Sequence, residues 1–465
     1  MTRFSPFFLC LFAGALLLTS CNNNMSSTET QPEKVRLITL DPGHFHAALV
    51  QKYMYDDVDS VVHIYAPGGS ELDGHMARIN SYNSRAGDPT RWQSEIYTGP
   101  DYLDKMIAEK AGNVVVIAGN NAQKTQYILS SVQAGLNVLA DKPMVINRPN
   151  FEVLKTAFTA AAGNHVLLYD IMTERYEVTT ILQKELSHTP ALFGEMEKGS
   201  VDNPAITKES VHHFFKYVSG SPLIRPAWFF DVEQEGEGIV DVSTHLVDLV
   251  FWECFPGQII DYQTDLNLDQ ARRWTTDLHP AQFNLVTGLT GYPDYLSKYV
   301  IQDSLLSVSS NGEINFTVKG IHAKVSVIWN FQAPEGAGDT HFSIVRGTKA
   351  NMVIRQGAEQ GYKPVLYVEP VDPSMAATLE PELKKALDGL SDRYPGLSYQ
   401  ASANGWEVLI PEQFKEGHEA HFARVMEKYL QYLKEGKLPD WEVPNMIAKY
   451  WVTTGALEMA LGGKE

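Results

Sequence analysis

The sequence predicts an α/β protein in two parts: a doubly wound parallel sheet, then an α+β region built on a large, mostly antiparallel sheet. Three observations carry this. From Val35 onward, short apolar runs such as VRLITL at 35–40 and NVVVIA at 113–118 alternate with helix-like segments. Strands apolar on both sides belong in a parallel sheet with both faces covered. Beyond about residue 169 the runs lengthen and alternate, with Ala323, Val325, Val327, Trp329 and Phe331 set against Lys324, Ser326 and Asn330. That period of two describes a sheet with one wet face. Further runs at 313–318, 322–331, 341–345, 351–355 and 365–368 follow one another without helices between them, which calls for antiparallel pairing.

The 465 residues, 44% hydrophobic and 20% charged, suffice for two domains with cores of their own. The 38 basic and 56 acidic side chains give a formal charge of -18. Such a surface repels phosphate backbones and anionic lipid headgroups, so nucleic acid is excluded as a partner.

At the N-terminus, Arg3 precedes an apolar run from Phe7 to Leu18 that is too short to span a bilayer and suits a signal peptide. The run ends in Leu18-Thr19-Ser20-Cys21, which resembles a bacterial lipobox. Residues 1–21 are therefore expected to be a lipoprotein signal ending at a lipidated Cys21, and 22–33 (NNNMSSTETQPE) a polar tether. The chain is expected to be exported, periplasmic or attached to the outer membrane, and to touch the membrane only through that lipid. Cys254 would remain the single free thiol, buried behind Leu249, Val250, Phe251 and Trp252. No intramolecular disulfide or cysteine-rich metal site can then form, and no metal is expected.

The first domain is expected over 34–170. A strand at 35–40 leads through Asp41-Pro42-Gly43-His44-Phe45-His46 into a helix carrying Leu49, Val50, Tyr53 and Met54. A second strand covers 61–66, and the polar stretch 67–92 has no assigned element. A short strand at 95–97, a helix at 102–110, a buried strand at 113–118, a helix at 123–134 and a strand at 137–140 complete the pattern. The second domain, 171–465, ends in helices at 419–434, with Phe422, Val425, Met426, Leu430 and Leu433 on one stripe, and at 445–461.

Three segments carry chemistry. The first βα turn is where a helix N-terminus could receive a pyrophosphate. Against G-x-G-x-x-G it has Asp41, Gly43 and His46 at the three glycine positions, so only the glycine that admits close backbone approach is kept. No acidic residue closes the second strand at Ala66-Pro67-Gly68, which leaves NAD against NADP open on the residues alone. The strand at 113–118 runs into Gly119-Asn120-Asn121, and the next ends in Asp141-Lys142-Pro143. A lysine there can project from the strand's carboxyl end into a ligand crevice, beside a proline that can hold a cis bond. In GEGIVDVSTHLVD at 236–248 the apolar spacing predicts a helix fed by a glycine-rich loop. Asp241 and His245, four apart, share one face, where a carboxylate and an imidazole can meet one hydroxyl; helix capping and a core histidine are the alternative.

Together these segments resemble the glucose-fructose oxidoreductase, inositol dehydrogenase and MocA family, in which a strand ends in Glu-Lys-Pro and a later helix carries G-G-x-x-x-D-x-x-x-H-x-x-D. The resemblance covers roughly 35–329, and 338–347 (GDTHFSIVRG) looks like an added domain of an exported Bacteroidetes-type branch. It departs at Asp141, which replaces the family's glutamate, and at the outer glycines of the first turn. The resemblance implies a Rossmann domain holding a nicotinamide dinucleotide, NAD or NADP with NAD favoured, and export away from cytoplasmic regeneration implies that it is held tightly. It implies hydride transfer from a secondary hydroxyl of a sugar or glycoside, with Lys142 polarising the oxygen, Asp241 orienting the substrate and His245 taking the proton. The cofactor would meet Gly43, His44, Phe45, His46, Gly119, Asn120, Asn121, Asp141, Lys142 and Pro143. Arg175, His212, His213 and Trp228, with Asp241 and His245, would line the substrate site. Two alternatives stay open, a glycoside-cleaving cycle of oxidation, elimination, addition and reduction, and a glycan-binding lipoprotein without catalysis.

Overall fold

The computed structural model describes residues 34–218, 221–302 and 304–462. The signal segment, the lipidation residue Cys21 and the tether therefore lie outside the described residues.

Six parallel strands form the first sheet: β1 (Leu37–Leu40), β2 (Val61–Ala66), β3 (Gln93–Thr98), β4 (Val114–Ile117), β5 (Asn137–Asp141) and β6 (Leu168–Ile171). Every residue of β1, β4 and β6 is buried, as uniformly apolar runs require between two helical layers. The spatial order is β3-β2-β1-β4-β5-β6. The chain starts in the middle and winds outward twice, which opens a crevice at the carboxyl ends of β1 and β4.

Five helices join these strands: α1 (His46–Leu49), α2 (Ser70–Ser84), α3 (Tyr102–Glu109), α4 (Asn121–Gln133) and α5 (Arg148–Gly163). α1 is shorter than its apolar spacing predicts. The Gln51 carbonyl, which a continuing helix would use internally, instead accepts the Trp92 indole N–H at 2.7 Å. α2 fills the stretch left unassigned; it buries only Leu72, His75 and Ile79, too narrow a stripe to stand out in a polar sequence. α4 and α5 start at Asn120 and Asn147, whose side chains accept from the backbone N–H groups of Ala122 and Asn150.

Helices α6 (Val178–Ser187) and α7 (Pro190–Phe193) lead to a second, ten-stranded sheet. Its strands are β7 (Ile206–Phe215), β10 (Leu266–Leu278), β11 (Val300–Ile301), β12 (Leu305–Val318), β13 (Ile321–Gln332), β14 (Thr340–Arg346), β15 (Ala350–Arg355), β16 (Val365–Pro370), β17 (Ser398–Ser402) and β18 (Gly405–Leu409). The pair β8 (Tyr217–Val218) and β9 (Ser221–Pro222) stands apart. The order is β10-β12-β13-β7-β14-β15-β16-β18-β17, and every pair is antiparallel except β13 with β7. Ala323, Val325, Val327 and Trp329 are buried, as their alternation requires. The remaining helices are α8 (Ser243–Cys254), α9 (Pro280–Thr287), α10 (Ala376–Asp388), α11 (His418–Glu435) and α12 (Glu442–Ala460).

α11 and α12 return to the parallel sheet. Phe422, Val425, Met426, Tyr429 and Tyr450 join Leu37, Val115 and Leu139 in one core, with Tyr169 stacked on Tyr429 at 5.9 Å. A buried ionic network ties the return together: Arg175 grips Asp248 of α8 at 2.6 and 2.7 Å and Glu442 of α12 at 2.7 Å. Lys449 of α12 reaches Asp248 at 2.9 Å and Asp170 of β6 at 2.6 Å.

Cys254 is buried, and burial pushes its thiol up to about 12, so it is an inert small hydrophobe. His75 and His421 are also buried, with no partner for either ring nitrogen among the described residues. Burial lowers both to about 4, against about 6.5 in an unfolded chain. Between those values the unfolded state binds protons that the folded state refuses, so stability falls as pH drops from about 6.5 toward about 4. The expected slope is at most about 1.4 kcal/mol per pH unit for each histidine. Thermal melts at stepped pH should show the fall, and His75→Leu should make it shallower; an unchanged slope would show that His75 is not a source.

Candidate active site

The site is built at the carboxyl end of β5. Lys124 of α4 is 1% exposed, and its ammonium donates to the backbone carbonyls of Asp141 (3.0 Å) and Lys142 (3.4 Å). The strand's end is thereby fixed, and the following Lys142–Pro143 bond is cis. Burial brings Lys124 down to about 8.

Lys142 leaves the strand there and pairs with the carboxylate of Asp241. Burial acts to lower the Lys142 pKa, but the Asp241 and Asp141 charges outweigh it and the value is raised, so the ammonium stays charged. Asp241 sits in a turn just before α8, closed by its N–H to the Glu237 carbonyl at 3.0 Å. The cap position of α8 is Val242 and makes no side-chain cap bond, so the Asp241 carboxylate serves Lys142 rather than the helix end. The turn is pressed against β12 at Gly238, where a Cβ would stand 1.7 Å from the Ser310 carbonyl oxygen, which only glycine permits.

His245 lies in the first turn of α8 and faces the same cavity, about 1050 Å³ in volume, that Lys142 and Asp241 line. Its Nδ1 is buried without a partner among the described residues. Burial, then the charge of Lys142 and the nearby His418, hold the imidazole well below its usual pKa, so it is unprotonated at neutral pH. Glu235, from the loop before that turn, is driven the other way: burial, then the Asp241 charge, raise its pKa well above the usual carboxylate value.

The far wall comes from the second sheet and the loop before β14. Asp339 accepts from His212 (3.2 Å), His213 (3.1 Å) and Lys216 (2.7 Å). Burial opposes its charge, but these three partners outweigh burial and hold its carboxyl far below the usual range. His212 lines the cavity and stacks on Trp329 at 5.1 Å, whereas His213 is buried behind Asp339. Arg225 also lines it, pinned to the carbonyls of Phe214 (2.9 Å) and His213 (3.1 Å).

Lys142, Asp241 and His245 thus meet in one cavity, with His44, Phe45 and His46 at its edge. Three proposed substrate contacts are placed elsewhere. The Arg175 guanidinium is consumed by Asp248 and Glu442 and does not line the cavity. Trp228 lies over the first turn, 3.2 Å from where a Gly43 Cβ would be, with its Nε1 donating to Glu71 at 3.3 Å. His213 acts through Asp339. Gly43, Gly119, Asn120 and Asn121 border the crevice rather than the cavity, and the segment after Trp228 bonds to two of them: Asn120 Nδ2 donates to Gln234 Oε1, and Asn121 Nδ2 to the Glu235 carbonyl. Asp141 bonds to His46, and Pro143 follows the cis bond. Sequence reasoning missed Asp339, Lys216, Arg225 and Glu235; the only signal lay in the glycine-rich loops that carry Glu235 and Asp339.

A doubly wound dinucleotide-type sheet, an antiparallel sheet behind it, and a lysine, carboxylate and histidine between them define the class of two-domain oxidoreductases. The chain belongs to the family described as "Putative oxidoreductase C terminal domain", whose model matches residues 182–461, and it is an oxidoreductase. A crystal structure of a "putative oxidoreductase" from Parabacteroides merdae ATCC 43184 is 56% identical, with a TM-score of 0.90 over 93% of this chain and 99% of that one. Two more distant structures share the fold. A levoglucosan dehydrogenase in complex with NADH and levoglucosan is 12% identical, with a TM-score of 0.57 over 92% of this chain and 98% of that one. A 3-ketoreductase from Actinomadura kijaniata in complex with NADP is 12% identical, with a TM-score of 0.53 over 90% and 96%. No curated protein matches the sequence.

Proposed function

We propose that the protein oxidises a secondary hydroxyl of a sugar or glycoside, using a nicotinamide dinucleotide held in the crevice between β1 and β4. The observation that carries this reading is the meeting of charged Lys142, Asp241 and unprotonated His245 at the end of β5. The residues fit such a group. A Cβ at Gly119 would stand 2.3 Å from the Asp41 carbonyl oxygen, so only glycine lets the turns after β1 and β4 pack against each other. Asn121 Oδ1 is buried there without a partner among the described residues. Glu71, in the first turn of α2, supplies the acid that β2 itself lacks and would disfavour a 2′-phosphate, which supports NAD over NADP.

The bound nicotinamide would supply the hydride acceptor. His245 takes the hydroxyl proton, and the Lys142 ammonium, held by Asp241, stabilises the oxygen as negative charge develops. The His212–Trp329 stack offers an aromatic face to sugar C–H groups, with Asp339, Lys216 and Arg225 placed for hydroxyls. One observation favours a second reading, in which oxidation opens a glycoside-cleaving cycle. Glu174 lines the cavity and is pushed up to about 7 by desolvation and by Glu177, a proton donor suited to a leaving aglycone.

Incubating the full chain with NAD and a panel of sugars and glycosides, and following reduction of the dinucleotide together with release of aglycone, separates these readings. Reduction without release supports a dehydrogenase, release supports the cycle, and neither with any member would leave a glycan-binding protein. The proposal includes export and lipid anchoring at Cys21, with a dinucleotide retained through each cycle because no supply is expected outside the cytoplasm. Cys21→Ser should move the protein from the membrane to the soluble fraction; a variant that still sediments with carbonate-washed membranes would contradict the anchor.

A further inference from the structure

We infer that His44, His46 and Asp141 form a binding site for one first-row divalent transition-metal ion, opening on the cavity beside Lys142. Two of these residues stand where the chain departs from the motifs it resembles: His46 takes the third glycine position of the first turn, and Asp141 stands in place of a glutamate before the lysine. Departures 95 residues apart in sequence converge in space. His46 Nδ1 lies 3.0 Å and His44 Nδ1 3.7 Å from Asp141 Oδ2, and one ligand atom from each residue falls within 4.8 Å of the others. Tetrahedral ligands at about 2.1 Å from a metal are about 3.4 Å apart, so small side-chain rotations would close the set.

The surroundings hold the ligands in place. Asp41, at the first glycine position, adopts φ +45°, the left-handed conformation that glycine favours and aspartate tolerates. The Gly43 N–H donates to the Asp41 carbonyl at 2.8 Å, which folds the turn back and brings His44 toward β5. His44 packs against Phe45 at 4.5 Å and against His46 at 4.1 Å, and His46 rests on Phe422 of α11 at 4.7 Å. The Asp141 backbone is fixed by Lys124. Of the neighbouring lysines, Lys142 is neutralised by Asp241 and Lys216 by Asp339, and the Lys124 ammonium is turned toward backbone carbonyls.

Two imidazoles and one carboxylate suit zinc, manganese, iron or cobalt, and three protein ligands leave a position open. His44 and His46 line the cavity, so that position faces the space where a substrate would lie. An oxygen ligand, whether a sugar hydroxyl or carbonyl or a phosphate oxygen, would complete the shell, and the ion would act on it as a Lewis acid. From the sequence these three residues read as dinucleotide contacts and no metal is expected.

The site is tested on the full, untagged chain, stripped with EDTA, desalted and titrated with cobalt(II) and then zinc chloride by calorimetry and visible absorption. The expected result is one equivalent per chain, cobalt bands of a four- or five-coordinate ion, and their displacement by zinc. His44→Ala and Asp141→Asn should each weaken binding at least about tenfold while keeping the parent circular dichroism. His44 is one-fifth exposed and can be removed without opening the core, so it decides the matter should the buried His46→Ala fail to fold. Absence of binding to the parent, or equal binding to His44→Ala, would overturn the site. The readout needs neither dinucleotide nor sugar, so its failure is distinct from failure of the hydride-transfer reading.

Discussion

Replacing His245 by alanine is expected to slow sugar-driven dinucleotide reduction by about 10²- to 10⁴-fold, the usual contribution of a general base. The imidazole is unprotonated at neutral pH, its Nδ1 has no partner among the described residues, and it shares a cavity with Lys142 and Asp241. Dinucleotide affinity should be retained, because the glycine turns and Asn121 lie across the crevice from α8. Stability should hold as well, since His245 is half-buried at the cavity wall rather than in the core. Lys142→Met should cost as much in rate and should additionally weaken nicotinamide placement. Stopped-flow reduction and a dinucleotide titration of each variant check both points. Parent-like rates in His245→Ala would remove it from proton transfer, and unfolding of the variant would make it a core histidine.

Asp248→Asn is expected to cost about 3–5 kcal/mol of stability, the effect of removing one partner from a buried ionic network. Asp248 is 4% exposed and receives both Arg175 and Lys449. Burial acts to raise its pKa, but those two cations outweigh burial and depress it strongly. The amide keeps the shape and loses the charge, leaving two buried cations with Glu442 and Asp170 alone. Because the network joins β6, α8 and α12, denaturant unfolding should show a lower midpoint for the parallel sheet and the returning helices together. A loss below about 1 kcal/mol would mean that the network is hydrated like a surface pair.

Parts of this architecture were legible and parts were not, for physical reasons. Uniform burial across β1 and β4 left near-continuous apolar runs, and alternation on β13 marked its two faces, so both sheets could be read. α2 exposes all but a narrow stripe and left too little periodicity. The helix at the first turn was overextended, because its stop depends on Trp92, 41 residues away from the carbonyl that it takes. Periodicity on α11 showed which face is apolar but not that Tyr169 is its partner. In the site, Lys142, Asp241 and His245 were legible through the family resemblance, which their own motifs left open one by one, and they do converge. Arg175 was read as a substrate contact, whereas its carboxylate partners lie 73 and 267 residues away, beyond any local pattern. Asp339 was hidden in the same way, by a loop whose function depends on histidines more than a hundred residues earlier.

The central claim is that the crevice between β1 and β4 holds a nicotinamide dinucleotide beside Lys142. The most direct test incubates the full chain with equal NAD and NADP, passes it through gel filtration, denatures it and weighs the released ligand by mass spectrometry. The expected result is about one dinucleotide per chain, NAD in preference, with Glu71 as the source of that preference. Protein that emerges with neither NAD nor NADP would contradict the account.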